Sequence, residues 1–566
     1  MNCYPEYPLR TKLNLNGFWD FCFKEDEVCF SKLSCDHLDF DHIMMVPGAF
    51  DCTPDFYCKR GVAFYRKHFT TQMLWDHALI HCCWGIRGKI WIDGKLIGQS
   101  SLMYSGLTFN VEKLSPGDHE IIIAIDNRFI EKTSELFYPY YDFYAYGGIY
   151  RDITIEKVPD IYIDRVQVGI ESIDEGRVKL SVLFKNMPDQ QVKLEYRFNT
   201  QRFPSSKVVE VCQNKAVFTT IVPDFECWTL ENPHLHQVEV NIDNDRIIEE
   251  FGIRTICASG KKILLNKKEI YLKGVNRHES HFDFGPATPE TILVDDIQNL
   301  KRLNCNFVRG SHYSQDPRFL ALCDRVGILV WEESLGWGNT AEQLKNTTFM
   351  ALQEQQTRLM VQNSINHPAI ILWGFLNEFN SETEEGRILC KRLIHGIKEE
   401  DNSRLVTFAN CHMTCLKDIC SDLVDVIAYN TYPGWISDDY RKDPDSVLVE
   451  NRDKIIAFLK SKKWDNKPIM VSEMGCCAIY GAHDLDAAQW SEEFQKQYVN
   501  AVIDCVFSSE DLCGLTIWQM NDTKSYHRIG ANIRCKPLSE NMAGLFDRYR
   551  RPKLAAQLVQ KRFLEK

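Results

Sequence analysis

The strongest constraint on the fold of this chain is a repeat that fills its second half. After about residue 256, apolar runs of five to eight residues alternate with stretches whose apolar residues recur at near-helical spacing. One such stretch is "PETILVDDIQNLKRLN", in which the apolar residues on one helix face are Ile292, Ile297, Leu300 and Leu303. The alternation predicts βα units that share a parallel sheet.

Eight apolar runs can be assigned to strands of this sheet. They are "IYLKGVN", "FVRGSH", "GILVWEES", "AIILWGFLNE", "RLVTFAN", "DVIAYNTY", "PIMVSEMG" and "GLTIWQMND". Eight parallel strands with crossover helices in about 300 residues predict an α/β TIM barrel, the (β/α)8 fold, over residues 256–566.

The first half of the chain has a different period. From about residue 10 to residue 255, short alternating runs are separated by turn residues, as in "KIWIDGKLIGQ", where Asp93-Gly94 is a hairpin signal. The segment "EKVPD" near residue 158 interrupts these runs, and a second all-β set follows it. Two β-sandwich domains are therefore expected, over residues 1–158 and 159–255.

Composition narrows the class of protein. The chain has 566 residues with 66 Lys plus Arg against 78 Asp plus Glu, and a formal charge of -12 argues against a nucleic-acid partner. Its 22 cysteines show neither CxxC pairs nor a disulfide framework, which favours free thiols in a reducing cytoplasm. No signal peptide is evident, and no apolar run reaches the roughly 18 residues needed to span a membrane.

Polar residues follow each of the eight apolar runs. In strand order they are Asn276, Arg277 and His278; Arg309 and His312; Glu332 and Glu333; Asn377 and Glu378; Asn410; Asn430 and Tyr432; Glu473; and Trp518. Catalysis in TIM barrels is built at the C-terminal ends of the strands, so these side chains are candidates for one site.

Two of the candidates suggest a reaction. Glu378 and Glu473 follow strands four and seven and can face each other across the barrel mouth. Two opposed carboxylates without a metal motif suggest cleavage of a glycosidic bond. A separation of about 5 Å predicts retention of anomeric configuration, because one carboxylate then attacks while the other protonates the leaving group.

Several of these residues have alternative uses. A structural ion pair with Arg277 or Arg309 is expected for one of Glu332 and Glu333, and Trp518 is either a core residue or a platform for a sugar's apolar face.

A metal or a cofactor is not expected. His278, His281 and His312 lack HExxH or a comparable close spacing, so a catalytic metal is not favoured. No GxGxxG follows a strand, and the proposed mechanism needs no cofactor.

At this point the motifs resemble a known family. "GVNRHES", "RGSHY", "WGFLNE", "YNTYPGW" and "VSEMG" look like the barrel signature of glycoside hydrolase family 2, particularly its β-glucuronidase branch. The segments "NLNGFWDF", "VPGAF", "VAFYRKHF" and "YDFYAYGGIYRDI" match the family's N-terminal sugar-binding jelly roll, and "FGIRTI" leads into the barrel. The resemblance covers nearly the whole chain and implies a jelly roll, an immunoglobulin-like sandwich and a catalytic barrel.

The resemblance also implies roles for the catalytic residues. Glu378, in the family's Asn-Glu pair, would be the general acid/base, and Glu473 would be the nucleophile. Asn377 would hold the sugar's 2-hydroxyl, and Tyr432 is the expected donor to Glu473.

Further positions match residues that bind the sugar. His312 and Trp518 correspond to positions that line the sugar pocket, and Asn541 matches the asparagine of the Asn-x-Lys pair that binds a glucuronide's carboxylate. Asp142 matches an aspartate of the jelly roll that reaches the sugar's far hydroxyls, which would make the enzyme exo-acting.

The chain departs from the glucuronidase pattern at two places. Ala543 stands where the lysine of the Asn-x-Lys pair is expected, and Ile436 stands where a tyrosine is expected. Another cation would have to neutralise a sugar carboxylate, since a carboxylate in a partly desolvated pocket costs several kcal/mol. The basic residues of the preceding segment are Lys524, Arg528, Arg534 and Lys536.

Three substrates therefore remain open for a retaining exo-β-glycosidase. A β-D-glucuronide is the leading prediction, a β-galacturonide is the next, and a neutral β-galactoside fits Ala543 best. A non-catalytic carbohydrate-binding protein on the same scaffold would be expected to lack one of the two glutamates, and both are present. The expected partner is a carbohydrate or glycoside conjugate, with neither nucleic acid nor membrane, and relatives of this kind commonly form homo-oligomers.

Overall fold

The structure is a computed structural model that describes residues 3–25, 29–128, 143–411, 413–435, 443–525 and 536–566. It confirms the predicted fold class, because two β-sandwich units precede a (β/α)8 barrel. The expected domain boundaries after residues 158 and 255 stay a prediction. Within the described ranges, no helix is both long enough and apolar enough to cross a bilayer.

The first unit is a jelly-roll sandwich. Its strands are β1 (Lys12–Asn14), β2 (Gly17–Lys24), β3 (His42–Val46), β4 (Gly48–Ala49), β5 (Val62–Thr71), β6 (His77–Cys82), β7 (Arg87–Ile92), β8 (Lys95–Ser100), β9 (Leu107–Val111), β10 (Gly117–Asp126), β11 (Gly148–Ile149) and β12 (Thr154–Val158). One sheet has the order β1-β12-β6-β9 and the other β3-β2-β5-β10-β7-β8. Apolar side chains such as Trp19, Ile80, Ile123 and Ile155 are buried in the core.

The predicted hairpin at Asp93-Gly94 is present. Strands β7 and β8 pair antiparallel on either side of it. Asp93 and Gly94 have φ angles of 49° and 75°, as a two-residue turn with both central residues in the left-handed region requires.

The second unit is an antiparallel sandwich with a core of its own. Its strands are β13 (Tyr162–Ser172), β14 (Arg177–Lys185), β15 (Gln190–Phe198), β16 (Ser205–Cys212), β17 (Lys215–Ile221), β18 (His236–Ile242) and β19 (Asp245–Phe251). Their hydrogen-bonded order in the sheet is β13-β14-β17-β16-β15-β18-β19. Alternate side chains, among them Leu180, Leu194, Val240 and Ile247, form its buried core.

The third unit contains the parallel strands. It begins with a small antiparallel sheet of β20 (Ile256–Ser259), β21 (Lys262–Leu265) and β22 (Lys268–Ile270). The parallel strands are β23 (Leu272–Arg277), β24 (Phe307–Gly310), β25 (Leu329–Glu333), β26 (Ile370–Gly374), β27 (Leu405–Thr407), β28 (Ala409–Asn410), β29 (Ile427–Asn430), β30 (Ile469–Met474) and β31 (Gly514–Ile517). A ribbon of β32 (Thr523–Lys524) and β33 (Glu540–Asn541) follows β31.

The helices of this unit lie between and after the strands. They are α1 (Glu290–Arg302), α2 (Pro317–Val326), α3 (Ala341–Leu344), α4 (Thr347–Ser364), α5 (Glu384–Glu400), α6 (Pro444–Ser461), α7 (Glu492–Phe507) and α8 (Leu554–Arg562). The stretch predicted to be helical from its spacing is α1. Of the apolar residues that define the spacing, Ile297, Leu300 and Leu303 are buried and Ile292 is half-buried, while Leu293 is buried in addition.

The parallel strands close into the barrel through the fifth strand. Residue Phe408 divides this strand into β27, which pairs with β26, and β28, which pairs with β29. At the other side β23 pairs with both β24 and β31. The eight predicted strands are therefore present, and their C-terminal ends surround one mouth.

Candidate active site

The site is built at the C-terminal ends of several barrel strands. Glu473 lies in β30, Arg309 lies in β24, and Glu378 follows the fully buried run of β26 by four residues. Because the strands are parallel and closed into a barrel, their ends bring residues distant in sequence to one place.

Arg309 is the central cation of this site. Its side chain is fully buried, and its guanidinium donates from Nε to Glu333 Oε1 at 2.7 Å and from Nη1 to Glu473 Oε1 at 2.6 Å. It also donates from Nη2 to Asn377 Oδ1 at 2.8 Å and from Nη1 to Asn276 Oδ1 at 3.0 Å. The planar fork of arginine suits several fixed acceptors, so Arg309 sets the positions of the side chains around it.

The structural ion pair expected for one of the two strand-three glutamates is therefore found at Glu333. Glu332 is also buried, and its Oε1 accepts a hydrogen bond from the backbone N–H of Gln315 at 2.9 Å. Burial raises the pKa of Glu332 well above its usual range, which favours its protonated form.

Glu473 accepts hydrogen bonds at both carboxylate oxygens. Arg309 donates to Oε1, and the Tyr432 hydroxyl donates to Oε2 in a short hydrogen bond. Burial raises the pKa of Glu473 to about 8, with a further rise from the nearby Glu378, while Arg309 and Tyr432 lower it. The expected contact between Tyr432 and Glu473 is present.

Glu378 lies in a less enclosed environment than Glu473. Asn430 Nδ2 donates to its Oε1 at 3.0 Å, and its backbone N–H donates to the Ala409 carbonyl at 2.9 Å. Its φ of 53° is in the left-handed region, so the chain turns sharply after β26 and aims this carboxylate at the mouth. The separation of about 5 Å between the two carboxylates stays a prediction.

The side-chain amide of Asn377 is hydrogen-bonded through its oxygen and not through its nitrogen. Its Oδ1 accepts from Arg309 and, at 3.1 Å, from Asn430 Nδ2. Its Nδ2 is buried and has no hydrogen-bond partner in the part of the chain that the structure describes. An unpaired buried donor is costly unless a ligand accepts from it, so this nitrogen is available to a bound molecule.

Aromatic rings form one wall of the site. The Trp518 ring stacks on His312 with centroids 5.5 Å apart and an angle of 8°, and His278 meets Trp518 edge-on at 5.3 Å. Burial holds the pKa of His278 and of His312 well below the usual range, so both imidazoles are neutral. Over the described ranges, no group of three His, Cys, Asp or Glu side chains has the arrangement of a metal site.

Ala543 belongs to a buried apolar cluster beside Tyr432 and Trp518. The cluster also contains Cys477 and Met542. Asn541 lies two residues earlier in β33, and its Oδ1 accepts from the Ala543 N–H at 3.2 Å. The side chains around Ala543 in this cluster are therefore apolar or aromatic.

The predicted residues fall into three groups. The structure brings Glu378, Glu473, Asn377 and Tyr432 into one hydrogen-bonded network and places His312 and Trp518 beside it. Asn541 adjoins the apolar cluster of Ala543. Four residues named in the sequence analysis lie outside the described residues. They are the predicted sugar contact Asp142, the departure at Ile436, and the basic residues Arg528 and Arg534.

For Arg309 the sequence predicts only an ion pair with a strand-three glutamate, and for Asn430 it predicts no partner. Both are polar residues at strand ends, which was the available signal. Arg309 and Glu473 are separated by 164 positions in the sequence, and Asn430 and Glu378 by 52. Such contacts depend on the closed barrel and leave no local spacing in the sequence.

Two family models match the chain. The model "Glycosyl hydrolases family 2, TIM barrel domain" matches residues 256–565, and "Glycosyl hydrolases family 2" matches residues 161–254. The first of these matches covers more than half of the chain.

Curated relatives and solved structures agree with these matches. A β-glucuronidase of Streptococcus agalactiae is 26% identical over 99% of this chain and 98% of its own, and a β-glucuronidase of Sus scrofa is 29% identical over 75% of this chain and 65% of its own. The crystal structure of a β-galacturonidase from Eisenbergiella tayi bound to galacturonate is 29% identical over 100% of this chain and 99% of its own, with a TM-score of 0.89.

Proposed function

Because the chain belongs to glycosyl hydrolase family 2 and is a glycoside hydrolase of the β-glycosidase type, we propose that it is a retaining, exo-acting enzyme with Glu473 as nucleophile and Glu378 as general acid/base. One observation carries the proposal: both oxygens of Glu473 accept hydrogen bonds, from Arg309 and Tyr432, within a network that also reaches Glu378. The two hydrogen bonds align this carboxylate for attack and lower its pKa, against the rise that burial causes.

The two carboxylates share one proton at neutral pH. Burial, with a further rise from the nearby Glu378, raises the pKa of Glu473 to about 8, and for two groups this close the proton belongs to the pair. Since Arg309 and Tyr432 both donate to Glu473, we assign the shared proton to Glu378. This division supplies an ionised nucleophile and a protonated acid at once.

The reaction then proceeds in two displacements. Glu473 attacks the anomeric carbon while Glu378 gives its proton to the glycosidic oxygen, so the bond to the leaving group breaks and a glycosyl ester with Glu473 forms. Glu378, now ionised, takes a proton from water, whose oxygen attacks the same carbon and releases Glu473. The sugar leaves with its original anomeric configuration.

The remaining residues position the sugar. Asn377 presents its unpaired Nδ2 to the 2-hydroxyl, and Trp518 offers an aromatic face to the apolar side of the ring. We place the C5 substituent, which lies across the ring from the 2-hydroxyl, toward Tyr432 and the apolar cluster of Ala543. Asp142 is proposed to contact the far hydroxyls and Asn541 to bind at the C5 end.

For the sugar we propose a β-D-glucuronide, which is supported by the β-glucuronidases among the relatives. A β-galacturonide is the second candidate, supported by the similarity to the Eisenbergiella tayi enzyme. The apolar surroundings of Ala543 favour a neutral β-galactoside instead. A cytoplasmic location and a homo-oligomeric state also stay proposals.

The test of the function is kcat/KM on p-nitrophenyl β-glucuronide, β-galacturonide and β-galactoside with wild type and Glu473→Gln. The three substrates differ in the C5 carboxylate and the C4 hydroxyl, so their ratio reports which sugar is recognised. We expect a uronide preference in the wild type and loss of nearly all turnover in the variant. A neutral preference overturns the uronide proposal alone, whereas a variant with wild-type turnover overturns the assigned nucleophile.

A further inference from the structure

A second cavity lies between the jelly roll and the barrel. It has a volume of about 330 Å³ and is lined by residues of both units, including Tyr57 and Tyr146 of the jelly roll and Phe282 and Lys524 of the barrel. A cavity of this size is within the range that accommodates a small molecule. We call it the Lys524 cavity.

This cavity is separate from the catalytic mouth. In the ribbon of β32 and β33, Thr523 lies opposite Asn541 and Lys524 lies opposite Glu540. Opposed side chains share one face of a ribbon, and successive ones alternate between faces. Lys524 therefore projects away from the face that carries Asn541, and it does not replace the lysine missing at Ala543.

The ammonium group of Lys524 is held by aromatic rings. Its Nζ lies 4.0 Å from the centroid of Tyr57, 4.1 Å from that of Tyr144 and 5.8 Å from that of Tyr146. The rings compensate part of the charge through cation–π attraction. Nζ is nevertheless buried without a hydrogen-bond partner among the described residues, so its donors remain unsatisfied.

The acidic side chains of the cavity are already paired with other cations. Glu540 accepts a short hydrogen bond from Arg548, and Asp522 accepts one from Lys553 Nζ at 2.8 Å. Lys524 is therefore the cation of the cavity lining that has no ion-pair or hydrogen-bond partner among the described residues. A buried charge of this kind favours an anionic ligand.

The other walls suit a ring. The Phe282 ring lies 3.8 Å from the Arg548 guanidinium, and Ser280 Oγ lies 3.1 Å from the Tyr146 hydroxyl at the cavity wall. Aromatic faces bind the apolar side of a sugar ring, and hydroxyl groups bind its polar edge.

From this arrangement we infer that the Lys524 cavity is a binding site, apart from the catalytic mouth, for a small carboxylate-bearing ring of the uronate class. Lys524 takes the carboxylate, and Tyr57, Tyr146 and Phe282 contact the ring. The inference uses neither Glu378 nor Glu473, so it stands or falls independently of the proposed reaction.

The test is calorimetric titration of the full-length protein with D-glucuronate, with D-glucose as the neutral ring. Lys524→Met keeps a stem of similar length between the tyrosines and removes the charge. We expect a binding event in the wild type that p-nitrophenyl glycoside substrates do not compete for, and a loss of about tenfold or more of its affinity in Lys524→Met, because a charge-assisted hydrogen bond is removed. The same variant should keep kcat/KM within about twofold of wild type, since Lys524 lies away from the catalytic mouth.

Lys95→Met is the matched control. Lys95 pairs with Glu112 on the surface, so its loss changes the net charge by the same amount without touching the cavity. Unchanged D-glucuronate affinity in Lys524→Met, equal binding of D-glucose, or binding events that all compete with substrate would each overturn the inference.

A second measurement needs only the wild type and covers the case in which Lys524→Met does not fold. Crystals of the wild-type protein are soaked with 4-iodobenzoate, a carboxylate on a ring with an anomalous scatterer. An iodine peak in the cavity with the carboxylate at Lys524 Nζ is the expected result. An empty cavity at millimolar 4-iodobenzoate contradicts the inference.

Discussion

Arg309 Nη1 lies 2.6 Å from Glu473 Oε1, and through its Nη2 the same guanidinium holds Asn377, the neighbour of Glu378. The buried guanidinium of Arg309 thus connects Glu473 on the seventh strand with Asn377 after the fourth strand. The geometry explains how two glutamates from distant segments are kept at fixed positions while remaining accessible to a substrate.

Arg309→Lys tests this connection. Lysine keeps the charge but cannot donate to Glu333, Glu473 and Asn377 together, so we expect kcat/KM to fall by about 10²- to 10³-fold. Arg254→Lys is the control, because Arg254 is also buried but donates to the Pro368 and Ile370 carbonyls at the start of β26. Steady-state kinetics at matched folded fractions distinguish the two variants, and equal losses of kcat/KM in both would count against a positioning role for Arg309.

Tyr432→Phe removes one of the two donors to Glu473. The hydrogen bond is to a charged group, so its loss should lower kcat by about 10- to 150-fold, equivalent to about 1.5–3 kcal/mol. Because Tyr432 lowers the pKa of Glu473, the acidic limb of the pH profile, which reports ionisation of the nucleophile, should move to higher pH in the variant. Tyr498→Phe is the control, because the buried Tyr498 hydroxyl donates to the Pro433 carbonyl at 2.7 Å and not to Glu473. A pH profile of Tyr432→Phe that matches the wild type would exclude a catalytic role for the contact between Tyr432 and Glu473.

The pH dependence of the wild type follows from the shared proton. The pair is singly protonated below the raised pKa of about 8 and loses its acid above it, so kcat/KM should fall as pH rises through about 8. Glu378→Gln with a dinitrophenyl glycoside needs no acid, and its profile should lack this alkaline limb. Retention of the limb in Glu378→Gln would assign the proton to another group.

Chemical rescue provides a second test of Glu378. The variant Glu378→Gln should lose most activity on substrates with poor leaving groups, because only those need proton donation. Added azide should partly restore turnover of activated substrates by attacking the glycosyl ester in place of activated water. Equal losses on both kinds of substrate without rescue would contradict the acid/base role.

Asn377→Ala tests the contact with the 2-hydroxyl. Hydrogen bonds to this hydroxyl strengthen in the transition state, so the wild type should prefer a glycoside over its 2-deoxy analogue by about 10²-fold. The variant should lose this preference, since the unpaired Nδ2 is absent. If Asn377→Ala discriminates between the two substrates as well as the wild type does, another group binds the hydroxyl.

Much of the fold was predictable because the period of the apolar residues changes with the type of secondary structure. The fully buried run of β26 and the helical spacing of α1 identify βα units, and the position of Glu378 and Glu473 after their strands places both at the mouth. The split of the fifth strand at Phe408 was not predictable. It depends on how the closing barrel divides its pairing between β26 and β29.

The ion pairs and hydrogen bonds of charged side chains were less predictable from the sequence. The sequence predicts Arg309 as an ion-pair partner, but its simultaneous contacts with Glu333, Glu473 and Asn377 require the ends of four strands to be in register. Lys524 illustrates the same limit, because the alternation of side chains in a two-residue ribbon decides that it faces a different cavity.

The most direct test of the central claim is peptide mapping by mass spectrometry after incubation with a 2-deoxy-2-fluoro-β-glycosyl fluoride of the preferred sugar. The fluorine at C2 slows release of the glycosyl ester more than its formation, so the first displacement is trapped. We predict one added glycosyl group per chain, located on Glu473. A label on any other residue, or an enzyme that turns over its substrate without forming an adduct, would contradict the assignment of Glu473 as the nucleophile.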